Sequence, residues 1–443
     1  MSIIKNNKNY GTKVILLGEP PVPPVPPTPT DDYFYVEDVS GQDNTLSIIR
    51  QGNSPMAIEV FASTDQTNWV SMGTTNIDTP LTATVPANSK LYLKANTTKW
   101  GHNWDAGTVI NTSYDFNVGG NIMSLLNGDD FVNSGFASNS SHNFDSLFRD
   151  CYTLINASEL VLPATTLTDS CYRRMFIYCN QLIATPVLPA TTLAEDCYSE
   201  MFNGCASLAT APVLPATTLT PSCYASMFAN TALTTAPALP ATTLASNCYF
   251  QLFRGCTSLT QAPVLPATTL ADSCYDNMFR GCTSLTQAPA LPATTLANRC
   301  YVSMFQGCSS LTQAPALPAT TLVNQCYYVM FAGCTSLTAA PTLPATTLAT
   351  NCYGQMFAGC SSLTTAPALP ATTLVEYCYT EMFVACSSLN SVTTYAQDIS
   401  AANCLTAWLY NVAATGDFYN LGGATYRSGD SGIPTGWTVH TSL

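Results

Sequence analysis

The chain has 443 residues, of which only 9% are charged, and its formal net charge is −13 at pH 7. So few charges predict a surface built mainly from Thr, Ser, Asn and Gln side chains. Binding to a nucleic-acid backbone requires clustered Lys and Arg, and the sequence contains no such cluster. The composition therefore argues against nucleic acid as a partner, and the length suits a long repeat array joined to a smaller module.

Residues 1–19 contain lysines and one short apolar run, Val14 to Leu17. A signal peptide requires an apolar stretch of roughly 7–15 residues, so this segment does not qualify. No run approaches the ~20 apolar residues of a membrane span. We therefore expect synthesis in the cytoplasm, without a signal peptide and without membrane insertion. We interpret residues 1–19 as an anchoring peptide.

Residues 20–32 form a linker whose first ten residues read PPVPPVPPTP. Proline fixes φ near the polyproline II value, and ten residues at ~3.1 Å each make a semi-rigid spacer of roughly 30 Å. Two compatible interpretations remain open. The segment is either a solubilising linker or a stalk that separates the anchoring peptide from the rest of the chain.

Residues 33–118 contain alternating, β-branched and aromatic runs such as YFYVEDV, MAIEVFAS and KLYLKA. Turn-forming stretches such as SGQDN and PANS separate these runs. Short strands at this spacing are typical of an antiparallel β-sandwich. We predict a small Ig-like, all-β sandwich that acts as a spacer.

From about residue 136 onward the chain is periodic. The motif LPATTL recurs every 26 residues, except for one step of 25, and degenerate units stand at 142–151 and 403–412. Its copies begin at Leu162, Leu188, Leu214, Leu239, Leu265, Leu291, Leu317, Leu343 and Leu369. A fixed period of this length predicts a solenoid, in which each unit buries its apolar face against its neighbours.

The unit at 265–290 reads LPATTLADSCYDNMFRGCTSLTQAPA. Cys274, Met278, Phe279 and Cys282 lie at i, i+4, i+5 and i+8, which predicts one face of a short α-helix ending near Gly281. The following SLTQA segment predicts a very short strand, limited by proline, that stacks into a parallel sheet. LPATTL is then the turn to the next helix, with both leucines inward, and its near-invariance suggests an internal scaffold segment.

The order of helix, G-C-[ST]-S-L-T, short strand and L-P resembles the BspA-like leucine-rich repeats found in gut and oral bacteria and in their phages. The resemblance implies a leucine-rich repeat solenoid with one short helix and one short strand per unit. It assigns residues 119–135 to a lead-in, 136–413 to the solenoid and 414–443 to a C-terminal cap. The A-P-x-L-P sequence departs from the longer β-branched strand that the family more often has.

The cysteines recur in pairs eight residues apart, which is about 12 Å along a helix at 1.5 Å per residue. That distance exceeds the roughly 7 Å that a disulfide allows between Cα atoms, and neighbouring helices normally lie about 8–10 Å apart. The total of 19 is odd, no C-x-x-C is present, and the chain has only three histidines. We therefore predict reduced cysteines in the core, with disulfides or a metal site as the weaker alternatives.

No catalytic motif appears: there is no G-x-S-x-G, no H-E-x-x-H and no glycine loop that could cradle a phosphate. We expect no catalytic residues, no metal ligands, no cofactor and no enzymatic activity. The remaining hypotheses are binding or structural.

The first hypothesis is a structural phage virion protein, a head or tail fibre or decoration subunit located in the virion. Residues 1–19 would bind other virion proteins, and the solenoid would be displayed for adhesion to a host-surface glycan or protein. The alternatives are a BspA-like adhesin on a bacterial cell surface and an intracellular protein-interaction scaffold. A homo-oligomer is left open.

Two sets of residues are candidates for binding. One is the row of polar residues on the predicted strands, which could hydrogen-bond sugars or could simply be solvated. The other set comprises aromatic residues on the predicted outer helix face, where other units have polar or small residues. These sets are Thr260, Gln261, Thr286, Gln287, Thr312 and Gln313, and Phe250, Tyr328, Tyr178 and Tyr377.

Overall fold

The computed structural model describes residues 32–52, 57–77, 79–103, 106–137, 140–429 and 431–442. The predicted anchoring peptide and all of the linker except Asp32 lie outside the described residues.

Residues 35–121 form nine β-strands, which confirms a strand-rich N-terminal region. The strands are β1 (Tyr35–Asp38), β2 (Asn44–Arg50), β3 (Glu59–Ser63), β4 (Val70–Thr74), β5 (Leu81–Val85), β6 (Lys90–Ala95), β7 (Gly101–Asn103), β8 (Ala106–Thr112) and β9 (Phe116–Asn121). They form one sheet with the order β9-β1-β6-β3-β4 and a second with the order β5-β2-β8-β7. Alternate residues of both sheets, such as Val36, Ile48 and Leu93, are fully buried in one core.

The first sheet continues directly into the repeat array. Strand β10 (Leu154–Val161) belongs to the first units of the array and pairs in parallel with β9. Between them in sequence lie a short helix, α1 (Ser124–Asn127), and a 3-10 turn at Gly128–Asp130. The apolar core runs without interruption from the sandwich into the solenoid.

The predicted helix in each unit is wrong. Within the described residues α1 is the only α-helix, and 273–282 form a run of four-residue turns that we call the turn segment. Ser273, Asn277 and Gly281 have φ values of 53°, 57° and 76°, so every fourth residue is left-handed. Equivalent residues of the other units repeat this pattern along the array.

The hydrogen bonds of the turn segment alternate between two directions. The amides of Asp276, Met278 and Cys282 donate to carbonyls three residues earlier, at 3.0–3.2 Å. The amides at the odd-numbered positions from 273 to 281 donate instead to the next unit, as in the Tyr275 bond to the Cys300 carbonyl at 3.1 Å. Half of the backbone amides in the segment thus bind adjacent units together.

The separation between units explains why no helix forms. Rings at the same position of adjacent units lie 5.3–6.1 Å apart and within 17° of parallel, along a tyrosine ladder from Tyr172 to Tyr379 and a phenylalanine ladder from Phe148 to Phe383. Packed α-helices require axes about 8–10 Å apart. A helix also satisfies its own amides internally, whereas this spacing offers each turn segment partners in the next unit.

The predicted strand in each unit is reduced to isolated parallel bridges, such as Thr235 to Gln261 and Gln313 to Ala339. Continuous strands occur only toward the ends of the array. Strands β11 (Ser391–Thr394), β12 (Gly416–Asn420) and β13 (Trp437–His440) form a parallel sheet at the C-terminal end. Proline after each SLTQA-type segment lacks the amide that would extend the ladder, which limits pairing in the middle of the array.

Candidate ligand-binding surface

Six predicted residues form a polar row on one face of the solenoid, which we call the Thr/Gln row: Thr260, Gln261, Thr286, Gln287, Thr312 and Gln313. All six side chains are exposed. They lie directly after fully buried leucines, such as Leu259 and Leu285, which fix the chain against the core. The row is therefore a solvent-facing surface on a closely packed support.

Four of the six residues line one groove of about 460 Å³, which we call the Thr/Gln groove. Its complete lining is Thr260, Gln261, Ala262, Thr286, Gln287, Ala288 and Pro289. No charged or aromatic side chain belongs to this lining. Thr312 and Gln313 lie one unit further along and do not contribute to it.

The groove lies at one of several junctions where the backbone ladder is interrupted. The amide of Thr260 donates to the Thr234 carbonyl at 3.1 Å, and the amide of Thr312 donates to the Thr286 carbonyl at 3.5 Å. Within the described part of the chain, no corresponding bond joins the Thr286 amide to the Thr260 carbonyl. One backbone donor and one acceptor at this junction are therefore free for solvent or a ligand.

The predicted aromatic residues lie on the turn segments, since the outer helix face does not exist. Phe250 and Tyr328 are half-buried, whereas Tyr178 and Tyr377 are exposed at 44% and 38%. The four do not meet in one site, because they belong to separate units at three different repeat positions.

Two of these tyrosines have a structural partner in the next unit. The Tyr178 ring occupies the space in which a Cβ of Gly204 would lie. The Tyr328 ring would lie 3.1 Å from a Cβ of Gly354, and Asn351 would lie closer still. In each pair the glycine stands at the same repeat position as the tyrosine, one unit later. Because these glycines have no side chain, the rings have room to pack there, and no ligand is needed to explain their positions.

Two other surfaces were not predicted from the sequence. Both threonines of each LPATTL motif are exposed, as at Thr268 and Thr269. The leucines of these motifs are buried as predicted, except that Leu244 is partly buried. A second, apolar groove of about 260 Å³ lies between units at 340–344 and 367–370 and is lined mainly by proline and alanine. The recurring A-P-x-L-P sequence is the pattern from which that groove could have been predicted.

The comparison with protein families agrees with the periodic architecture. A model described as a BspA type leucine-rich repeat region matches in six copies, over residues 173–312, 224–353 and 273–405. Together these matches span 173–405, which is more than half of the chain. The chain belongs to the BspA-type leucine-rich repeat family. No curated protein and no solved structure shows significant similarity to it.

In this BspA-type chain the cysteines are core residues, as predicted. All 19 are free and buried. The thiol of Cys282 donates to the Phe253 carbonyl of the preceding unit at 3.1 Å, and seven further units repeat this contact. Where Thr231 replaces the cysteine, its hydroxyl donates to the Phe228 carbonyl at 2.8 Å.

The helical distances that argued against disulfides are wrong, because the turn segments approach one another more closely than helices do. The thiols nevertheless lack the chemistry of a reactive site. Burial raises the pKa of the Cys308 and Cys326 thiols to about 12. Since the thiolate is the nucleophile and the metal ligand, these groups are inert near neutral pH.

Neither a metal-ligand group nor a membrane-spanning helix is found in the described part of this BspA-type chain. No group of three His, Cys, Asp or Glu side chains that could hold a metal ion is found there. Among the described residues, no helix has the length and apolar character of a membrane span. Family membership and the exposed polar surface together indicate a function in protein interaction or adhesion.

Proposed function

We propose that the protein is a non-catalytic adhesion protein that holds the Thr/Gln groove against a host surface. The observation that carries this proposal is the Thr/Gln groove, a polar, uncharged concavity on a solenoid whose units are bound together by backbone bonds. A rigid support lowers the entropy lost when a ligand binds, so such a surface suits recognition.

We further propose that the protein acts in a phage virion, as a fibre or decoration subunit. Residues 1–19 bind other virion proteins, the proline-rich linker and the sandwich act as spacers, and the solenoid is displayed outward. The order of these segments along the chain supports the proposal, as does the low charge of the repeats. Contact with the host surface occurs through a glycan or a protein.

Mass spectrometry of purified phage particles, host envelope fractions and soluble host fractions tests the location. We expect the chain in the particles at a stoichiometric level. If it is found only in the host envelope, the virion proposal is wrong and a bacterial surface adhesin replaces it. If it is found only in the soluble host fraction, an intracellular scaffold replaces both.

A further inference from the structure

We propose that the Thr/Gln groove binds one or two residues of a neutral, hydroxyl-rich saccharide. This inference rests on the proposed adhesive function and names its ligand class. It concerns one junction of the solenoid, between the units that contain Gln261 and Gln287.

The groups that line the groove match the hydroxyl groups of a sugar. Each glutamine amide has an oxygen that accepts hydrogen bonds and a nitrogen that donates two, and a threonine hydroxyl can do both. A sugar hydroxyl is likewise donor and acceptor, so the same groups can serve several of its orientations. No charged side chain lines the groove to pair with an anionic or cationic ligand.

The interrupted ladder adds two backbone groups to this set. At the neighbouring junction the Thr286 carbonyl already accepts from the Thr312 amide. The Thr260 carbonyl and the Thr286 amide have no such backbone partner among the described residues. A bound saccharide can therefore bridge the two units where the protein itself does not.

The dimensions and the support of the groove also suit a saccharide. Its volume of about 460 Å³ lies within the range of about 300–1,000 Å³ that is typical of small-molecule sites. The chain beneath is fixed by Leu259, Leu285 and Cys282, none of which is accessible to solvent. The glutamines thus project from backbone positions that do not need to reorganise on binding.

The sequence alone does not single out this junction, because Gln287 and Gln313 also occupy adjacent units. There a long backbone bond of 3.5 Å joins the two units, and Gln313 pairs with Ala339 on its other side. Gln313 therefore has the same repeat position and the same exposure as Gln287 but lies outside the groove. It provides a matched control.

The test uses the full chain and an array of neutral oligosaccharides of glucose, galactose, mannose and N-acetylglucosamine, beside uronic and sialic acid oligomers. We expect binding to at least one neutral oligosaccharide. The double variant Gln261→Leu, Gln287→Leu should weaken that binding by about tenfold or more, since it removes two side-chain hydrogen-bonding groups. Gln313→Leu should change it less than about twofold.

Since the substituted side chains are exposed, the variants should unfold at the wild-type temperature, which circular dichroism verifies. Failure to bind any neutral oligosaccharide overturns the saccharide proposal, and so does a double variant that binds as the wild type does. Wild-type adhesion to host cells in either case would leave the proposed adhesive function standing. Loss of adhesion to every tested host cell would contradict that function as well.

Discussion

At the scale of the residue, the thiol of Cys282 shows why cysteine recurs in this core. Its side chain is fully buried, and it donates a hydrogen bond to the Phe253 carbonyl of the preceding unit. Where Thr231 replaces the cysteine, its hydroxyl donates instead to the Phe228 carbonyl of its own unit. The position therefore selects a small side chain that can donate one hydrogen bond, and redox chemistry has no part in the selection.

Alkaline pH should destabilise the fold through these thiols. Burial raises the pKa of Cys248, Cys308 and Cys326 from 9.0 to about 12, so the unfolded chain loses these protons first. Between about pH 9 and pH 12 the unfolded state binds fewer protons than the native state, and the free energy of unfolding falls as pH rises. The stabilisation that the buried thiols contribute is fully present below about pH 9.

Urea unfolding at a series of pH values measures this effect. We expect a constant urea midpoint up to about pH 8.5 and a steep fall above about pH 9. Thiolate absorbance in the native chain provides the control, since it should not develop before unfolding. If the native thiols titrate near pH 9 while the chain remains folded, the burial of the thiols is contradicted.

At the scale of the element, the turn segment shows what sequence patterns can and cannot determine. Cys274, Met278, Phe279 and Cys282 are all fully buried, as their spacing predicted. Over nine residues a period of four and a helical period of 3.6 place the same side chains inward, so the pattern could not distinguish the two. Gly281 was interpreted as the end of a helix, although its left-handed φ closes one of three successive turns.

The same limit applies to the candidate site. Thr260, Gln261, Thr286 and Gln287 could be recognised as exposed and polar from their place after a buried leucine. The junction that opens could not be recognised, because GCTSLTQAP occurs identically at 255–263 and 281–289. Small differences in the distances between units decide which backbone bonds form, and the sequence does not encode these locally.

The sign of the effect of Gly307→Ala distinguishes a left-handed turn from a helix that continues through this position. Gly307 has a φ of 73°, and an added Cβ would meet nothing closer than 3.8 Å, so the penalty is backbone strain alone. We expect a loss of about 1 kcal/mol in the free energy of unfolding. In the interior of an α-helix the same change would stabilise by about 0.5–1 kcal/mol.

Chemical denaturation of Gly307→Ala and of a reverse variant provides the measurement. Ala385 occupies the equivalent position with a φ of 60°, so Ala385→Gly should be neutral or stabilising. A stabilised Gly307→Ala together with a destabilised Ala385→Gly would show that the segment is helical.

At the scale of the whole molecule, the solenoid behaves as a one-dimensional array in which each unit contacts only its neighbours. Removal of residues 291–316 joins two equivalent positions and leaves every ladder in register. We expect this variant to fold cooperatively, with a modestly lower midpoint of thermal unfolding because one interface between units is lost. Thermal unfolding followed by circular dichroism measures it.

Removal of residues 291–303 is the matched control, since half a unit places turn segments against bridge segments. This variant should not fold cooperatively. If both deletions fold equally well, or if neither does, the units are not the independent repeating elements that the ladders imply.

Binding of the labelled full chain to host cells tests the central claim, adhesion through the Thr/Gln groove. The double variant Gln261→Glu, Gln287→Glu places two charges on the row, whereas Gln306→Glu places one on a turn segment of the next unit. We expect the double variant to lose host-cell binding by about tenfold or more, because its two charges would be buried without partners in the contact with the host surface. Gln306→Glu should bind as the wild type does. Equal binding by all three proteins, or no binding by the wild type, would contradict the account.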